Sequence, residues 1–156
     1  MKITFVWVGR TRDHEMKCAM ERYLERIRRH AQVAVVVAPE VGDAPQYSLK
    51  HRLEREAKGI LERLPRRGRA LALDAAGQQM TSEEFARLLE SELTAGGGHV
   101  HFVLGGPSGL SGEVLQRMDR RIALGRMTLP HELARLVLTE QVYRAFSILR
   151  GGPYHR

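Results

Sequence analysis

The sequence predicts an α/β fold, a mainly parallel sheet flanked by helices, on three observations. Apolar runs at Lys2 to Val8, Gln32 to Ala38, Arg69 to Leu73 and His99 to Leu104 alternate with segments of helical periodicity. Lys2 to Val8 is apolar at almost every position, as in a strand covered on both faces. No internal repeat or linker divides the 156 residues, so the strands and helices read as one domain joined by parallel crossovers.

Each element has a local reason. Gly9 ends the first strand, and Asp13 to His30 then places Met16, Met20, Tyr23, Leu24 and Ile27 at helical spacing, with Arg22, Arg26, Arg28 and Arg29 on the remaining surface. Cys18, the single cysteine, falls within that helix and reads as a small packing residue. Gln32 to Ala38 is β-branched and uncharged, which predicts a central strand. Pro39 stops it, and PEVGDAPQY reads as a surface loop. Ser48 caps a second helix whose Leu49, Leu53, Ala57, Ile60, Leu61 and Leu64 make one stripe beneath Lys50, His51, Arg52, Arg55 and Lys58.

The third strand, Arg69 to Leu73, is expected to end in Asp74 and a turn through Gly77. Thr81 and Glu84 form a capping box for a helix from Ser82 to Leu93. Gly96 to Gly98 close it and lead into the fourth strand. After Gly105 and Gly106, Ser111 caps a short helix and Ile122 to Leu124 predicts a fifth strand. The final helix, His131 to Leu149, begins with apolar residues around most of its circumference, so it must be buried in the core or against a second subunit.

The charge is unevenly placed. Residues 1–70 hold 16 Lys/Arg against 9 Asp/Glu, whereas residues 71–156 hold 9 against 9, so the whole excess of +7 lies in the first half. A basic face of this kind fits nucleic acid or another polyanion. The longest apolar runs fall far short of a membrane span, and MKITFVWVG lacks a signal-peptide cleavage pattern, so a cytoplasmic protein is expected.

Most ready-made chemistries are excluded by pattern. GGPSGLS contains neither the Gly-Lys-Ser/Thr of a phosphate loop nor GxGxxG, although its glycines allow close approach of a ligand to the backbone. His99 and His101 share a strand face without neighbouring ligands, and His131-Glu132 lacks a second histidine, so no metal site is expected. There is no Gly-x-Ser-x-Gly elbow.

Three ordered motifs remain: GGPSGLS, TLPHELARLVLTEQVYRA and a terminal PYHR, on a chain that opens with a strand and VGR. In these the chain closely resembles the RlmH family of SPOUT-class methyltransferases, which methylate N3 of a pseudouridine in 23S ribosomal RNA. The resemblance implies a C-terminal trefoil knot, a homodimer and S-adenosylmethionine held by the knot loops. The implied cofactor positions are Leu73, Gly105, Gly106, Leu124, Gly125, Arg126, Met127, Thr128 and Leu129. The family tail commonly reads Asn-His-Pro-Tyr-His, where this chain has Gly151 and Gly152 before Pro153.

N3 of a uracil-type ring carries a proton at neutral pH, so its methylation requires deprotonation or stabilisation of the anion. His155 is the candidate base, because histidine titrates near neutrality. Arg144 is the candidate to hold the anion or the base edge, and Tyr154 to stack on the base. The basic helices would hold RNA phosphates, with the target base in a loop on the ribosome. The competing expectations are a noncatalytic RNA- or ribosome-binding protein and a SPOUT enzyme acting on transfer RNA.

Overall fold

The computed structural model describes residues 1–42 and 45–155, the last by its backbone alone; Asp43 and Ala44 of the predicted loop lie outside the described residues. Its strands are β1 (Lys2–Val8), β2 (Gln32–Ala38), β3 (Arg69–Gln78), β4 (His99–Leu104) and β5 (Arg120–Ile122). Its helices are α1 (His14–Arg28), α2 (Leu49–Arg63), α3 (Ser82–Ala95), α4 (Gly112–Gln116) and α5 (His131–Leu149), followed by a 3₁₀ turn over Pro153–His155. The strands form one sheet in the order β2-β1-β4-β3-β5, with every pairing parallel. All carboxyl ends therefore lie along one edge.

Alternation along β1 divides the core. Ile3, Phe5 and Trp7 face α1, α3 and α5, while Val6 and Val8 face α2 and α4. Both sets are excluded from solvent, which accounts for the unbroken apolar run of this strand. Helix starts follow the capping residues. Asp13 accepts from the Met16 amide at 2.8 Å, Ser48 from His51 at 3.2 Å and Ser111 from Val114 at 3.3 Å. Thr81 and Glu84 complete the reciprocal capping box.

Five local expectations are corrected. β2 is an edge strand rather than a central one: among the described residues it pairs only with β1, and Val35 and Val37 are 40% and 39% exposed. β3 does not end at Asp74 but runs to Gln78, because Ile122 pairs with both Leu73 and Gln78 and residues 74–77 bulge outward between them. β5 lies two residues earlier than Ile122 to Leu124, since the chain leaves the sheet once Ala123 has donated to the Gln78 carbonyl. Cys18 is exposed, with its sulfur 3.6 Å from His14 Nε2, and Leu49 is 52% exposed, so the buried stripe of α2 starts further along.

Candidate cofactor cavity and C-terminal tail

A cavity of about 170 Å³ opens between the bulge of β3 and the carboxyl end of β5. Leu73, Asp74 and Ala75 form one wall, residues 123–129 the other, and Ala134 of α5 the floor. The bulge creates the first wall by pushing residues 74–77 out of the ladder. It requires glycine at position 77, where a Cβ would stand 2.6 Å from the Ile122 backbone. Among the described residues, the amides of 124–129 donate to no backbone carbonyl, which leaves a row of polar backbone groups beside the apolar Leu73, Leu124 and Leu129. A second cavity of about 180 Å³, next to α3, shares Ala123 and Leu124 with the first.

Seven of the nine expected cofactor positions, Leu73 and Leu124 through Leu129, converge on this cavity. Met127 stands at its rim, 85% exposed. Gly105 and Gly106 lie one strand away, after β4, and do not line it. Their turn folds on itself: Gly106 bridges Gly109, and a Cβ at Gly105 would stand 2.2 Å from the Gly109 carbonyl oxygen. A Cβ at Gly106 would instead approach Val8 and the Glu56 carboxylate. Burial raises the Glu56 pKa, although the Val41 amide donates to it at 3.1 Å.

Two residues that composition does not flag set the floor. Arg135 is fully buried, donating to the Val8 carbonyl and, at 3.0 Å, to Thr11 Oγ1. Glu132 accepts from the backbone amides of Arg12 and Asp13. Together they fasten the start of α5 to the carboxyl end of β1. A signal for Arg135 exists in the sequence, since Arg135, Leu138, Val142 and Ala145 recur at helical spacing on one stripe and all are buried.

The tail candidates gather elsewhere. Arg144 donates from Nε and Nη2 to Glu140 Oε1 at 2.9 and 2.7 Å and from Nη1 to the Tyr154 carbonyl at 3.1 Å. Its guanidinium stands 4.7 Å from the Tyr154 ring centre. The hydrogen bond with Glu140 raises its pKa further, so it remains a cation. Tyr154 packs edge-on against Tyr143, 4.7 Å between ring centres, and its hydroxyl lies 3.2 Å from that of Tyr23. Burial, then that contact, raises its pKa, which keeps the phenol protonated. The backbone of His155 closes the 3₁₀ turn, but its side chain lies outside the described residues.

Along α5, Arg144 follows Ala134 by ten residues, about 15 Å at 1.5 Å per residue. Within one chain the cofactor candidates and the tail candidates therefore do not meet. His99 and His101 are held by neighbours: His99 Nε2 is 3.0 Å from Thr4 Oγ1 and His101 Nε2 is 2.8 Å from the Arg67 carbonyl. Burial, with smaller contributions from His101 and Lys2, lowers the His99 pKa to about 4. Among the described residues no cluster of His, Cys, Asp or Glu could hold a metal ion, and no helix is long and apolar enough to cross a membrane.

A parallel sheet in this order, with a backbone-lined cavity walled by the loop that enters its last helix, defines a ligand-binding α/β domain with its site at the carboxyl ends of the strands. The chain belongs to the SPOUT methyltransferase family: the model described as "Predicted SPOUT methyltransferase" matches residues 1–155. It is 42% identical over 162 residues to the ribosomal RNA large subunit methyltransferase H of Listeria monocytogenes, and 40% identical to that of Carboxydothermus hydrogenoformans. The Clostridium perfringens protein called ribosomal RNA large subunit methyltransferase H 1 is 36% identical over 159 residues. All three alignments cover 100% of both chains. Among solved structures, a "probable methylase family protein" of Haemophilus influenzae has a TM-score of 0.60 at 16% identity, covering 96% of this chain and 68% of that one. A "probable methyltransferase" of Bordetella pertussis has a TM-score of 0.57 at 18% identity, covering 92% and 95%. These two likenesses concern the fold.

Proposed function

We propose that the chain is an S-adenosylmethionine-dependent methyltransferase that modifies N3 of a pseudouridine in a loop of 23S ribosomal RNA, acting on the ribosome in the cytoplasm as a single SPOUT domain. The observation that carries this reading is the convergence of Leu73 and residues 124–129 on one cavity. Its donor set fits the cofactor, with backbone amides that donate to no backbone carbonyl among the described residues for polar edges and leucine side chains for a flat ring. When bound there, S-adenosylmethionine supplies an electrophilic methyl group for direct transfer to the ring nitrogen.

The protein has two tasks: to hold the target base in line, and to remove or shield the N3 proton. His155 is proposed to take that proton and Tyr154 to stack on the base. Arg144, already bound to Glu140 and the Tyr154 carbonyl, fixes the tail and places a cation beside it. Because about 15 Å of helix separates the tail from the cavity floor in one chain, we propose a homodimer in which each tail completes the partner's site. The implied trefoil knot is proposed at the loop of residues 123–130, which returns from β5 at the sheet edge to the start of α5.

Calorimetric titration of the purified chain with S-adenosylmethionine, followed by methyl-transfer assays on ribosomes, free ribosomal RNA and transfer RNA, tests the proposal. Cofactor binding and methylation confined to ribosomes is the expected result. Absence of binding, or methylation of transfer RNA alone, overturns it.

A further inference from the structure

Helix α2 begins at the same sheet edge as the cofactor cavity, because β2, which precedes it, runs parallel to β3 and β5. On its outward side lies a feature that neither core explains. The Tyr47 ring stacks on the His51 imidazole, 4.9 Å between centres at 16°, and the Arg55 guanidinium stands 5.8 Å from the Tyr47 ring. His51 and Arg55 are four apart on one face of α2, and Tyr47, just ahead of the helix cap Ser48, folds against both to make a ladder. His51 and Arg55 are exposed, Tyr47 is half-buried, and none of them belongs to a hydrophobic cluster. Lys50 and Lys58, with side chains 87% and 79% exposed, flank the ladder. On the neighbouring loop after β1, Arg10 and Arg12 are exposed at the same edge.

We infer that the Tyr47–His51–Arg55 ladder is a stacking platform for an unpaired base of the RNA substrate, with Lys50, Lys58, Arg10 and Arg12 holding the adjoining phosphates. The inference rests on the proposed RNA substrate and adds a contact outside its methyl-transfer site. Flat π groups interleaved with cations offer a base both a face and a charge, which is how single-stranded nucleic acid is held without reading its sequence. An acidic protein segment would use the cations but leave the stacked rings without a role. Strands are spaced about 4.8 Å apart, so three gaps set the carboxyl end of β2, from which the chain runs on to the platform, roughly 15 Å from β3 and the cavity beside it. That separation suits a nucleotide near the target base, not the target itself.

The test is equilibrium binding of the full chain to ribosomes and, separately, to a uridine-rich single-stranded oligonucleotide. Wild type is compared with Tyr47→Ala and Tyr47→Phe, and S-adenosylmethionine affinity serves as the control for folding. Tyr47→Ala is expected to weaken both interactions about tenfold. Tyr47→Phe should keep both within about twofold of wild type, because it retains the ring. Unchanged binding by Tyr47→Ala overturns the inference, as does failure of the wild type to bind the oligonucleotide. A loss confined to ribosomes would assign the patch to a ribosomal protein and overturn it as well. These measurements read the same whether or not methyl groups are transferred, so an inactive wild type would count against the proposed reaction alone.

Discussion

The guanidinium of Arg135 lies 5.4 Å from the ring centre of Trp7, which stacks a fully buried cation on the aromatic residue near the carboxyl end of the interior strand β1. Among the described residues no carboxylate is within ion-pair distance of Arg135. Burial lowers its pKa, opposed by the more distant Glu132 and Glu40. What holds it is the ring, the Val8 carbonyl and Thr11. Replacement by methionine preserves bulk but strands a buried carbonyl, so Arg135→Met should cost about 2–4 kcal/mol in urea unfolding. Because Ala134 is the cavity floor, S-adenosylmethionine affinity should fall with it in a calorimetric titration.

Acid stability should depend on Glu92, which is 2% exposed between Arg69 Nε at 2.7 Å and Arg120 Nε at 2.8 Å. Burial alone would raise its pKa, but the hydrogen bonds from Arg69 and Arg120 hold it below the usual 4.5. A carboxyl whose folded pKa lies below its unfolded value contributes stability fully above the ordinary carboxylate range. That contribution is lost as pH falls through the folded value. Glu92→Gln should therefore cost about 2 kcal/mol at neutral pH, less than for a fully enclosed pair because both arginines reach solvent. It should also flatten the acid limb of a stability–pH curve from denaturant unfolding.

Much of this architecture was legible in local chemistry. The helix starts at Asp13, Ser48, Thr81 and Ser111 each satisfy an amide that would otherwise lack a partner, and that requirement is written in sequence. The edge position of β2 was not legible, because Gln32 to Ala38 is as apolar as a central strand and only the pairing partners distinguish the two. In sequence the bulge at 74–77 is indistinguishable from the end of a strand, since a departure from the ladder and its resumption at Gln78 both depend on Ile122. Periodicity alone could not find the cavity wall at 124–129; motif resemblance did. An arginine in a helix reads as a surface residue until Trp7 is folded over it, so the burial of Arg135 depends on tertiary structure.

Gly77 tests the link between sheet irregularity and cavity shape. A Cβ there would lie 2.6 Å from backbone atoms of Ile122, which cannot yield as a flexible side chain would. Gly77→Ala should push β5 away from β3, costing about 1–3 kcal/mol. It should also lower S-adenosylmethionine affinity more than Gly97→Ala, a substitution whose Cβ meets nothing within 4 Å, although its φ of +62° adds backbone strain. Parallel unfolding and titration of the two variants separates loss of cavity shape from general loss of stability.

The tail should separate catalysis from cofactor binding. Arg144 joins Glu140 to the Tyr154 carbonyl, so Arg144→Ala releases the 3₁₀ turn while leaving the cavity lining of its own chain untouched. Methyl transfer should fall about a hundredfold in kcat, the order expected when a reacting group is displaced by about 1 Å. S-adenosylmethionine affinity should stay within about twofold, since in the proposed site the tail contacts the base while residues 73–75 and 123–129 with Ala134 line the cofactor cavity. His155→Ala should behave likewise if His155 takes the N3 proton, whereas an unchanged rate would remove it from the reaction. Mixing inactive Arg144→Ala chains with chains inactivated in the cavity provides the decisive measurement. A homodimer that shares its sites regains partial activity in the mixture, and chains that each carry a whole site do not.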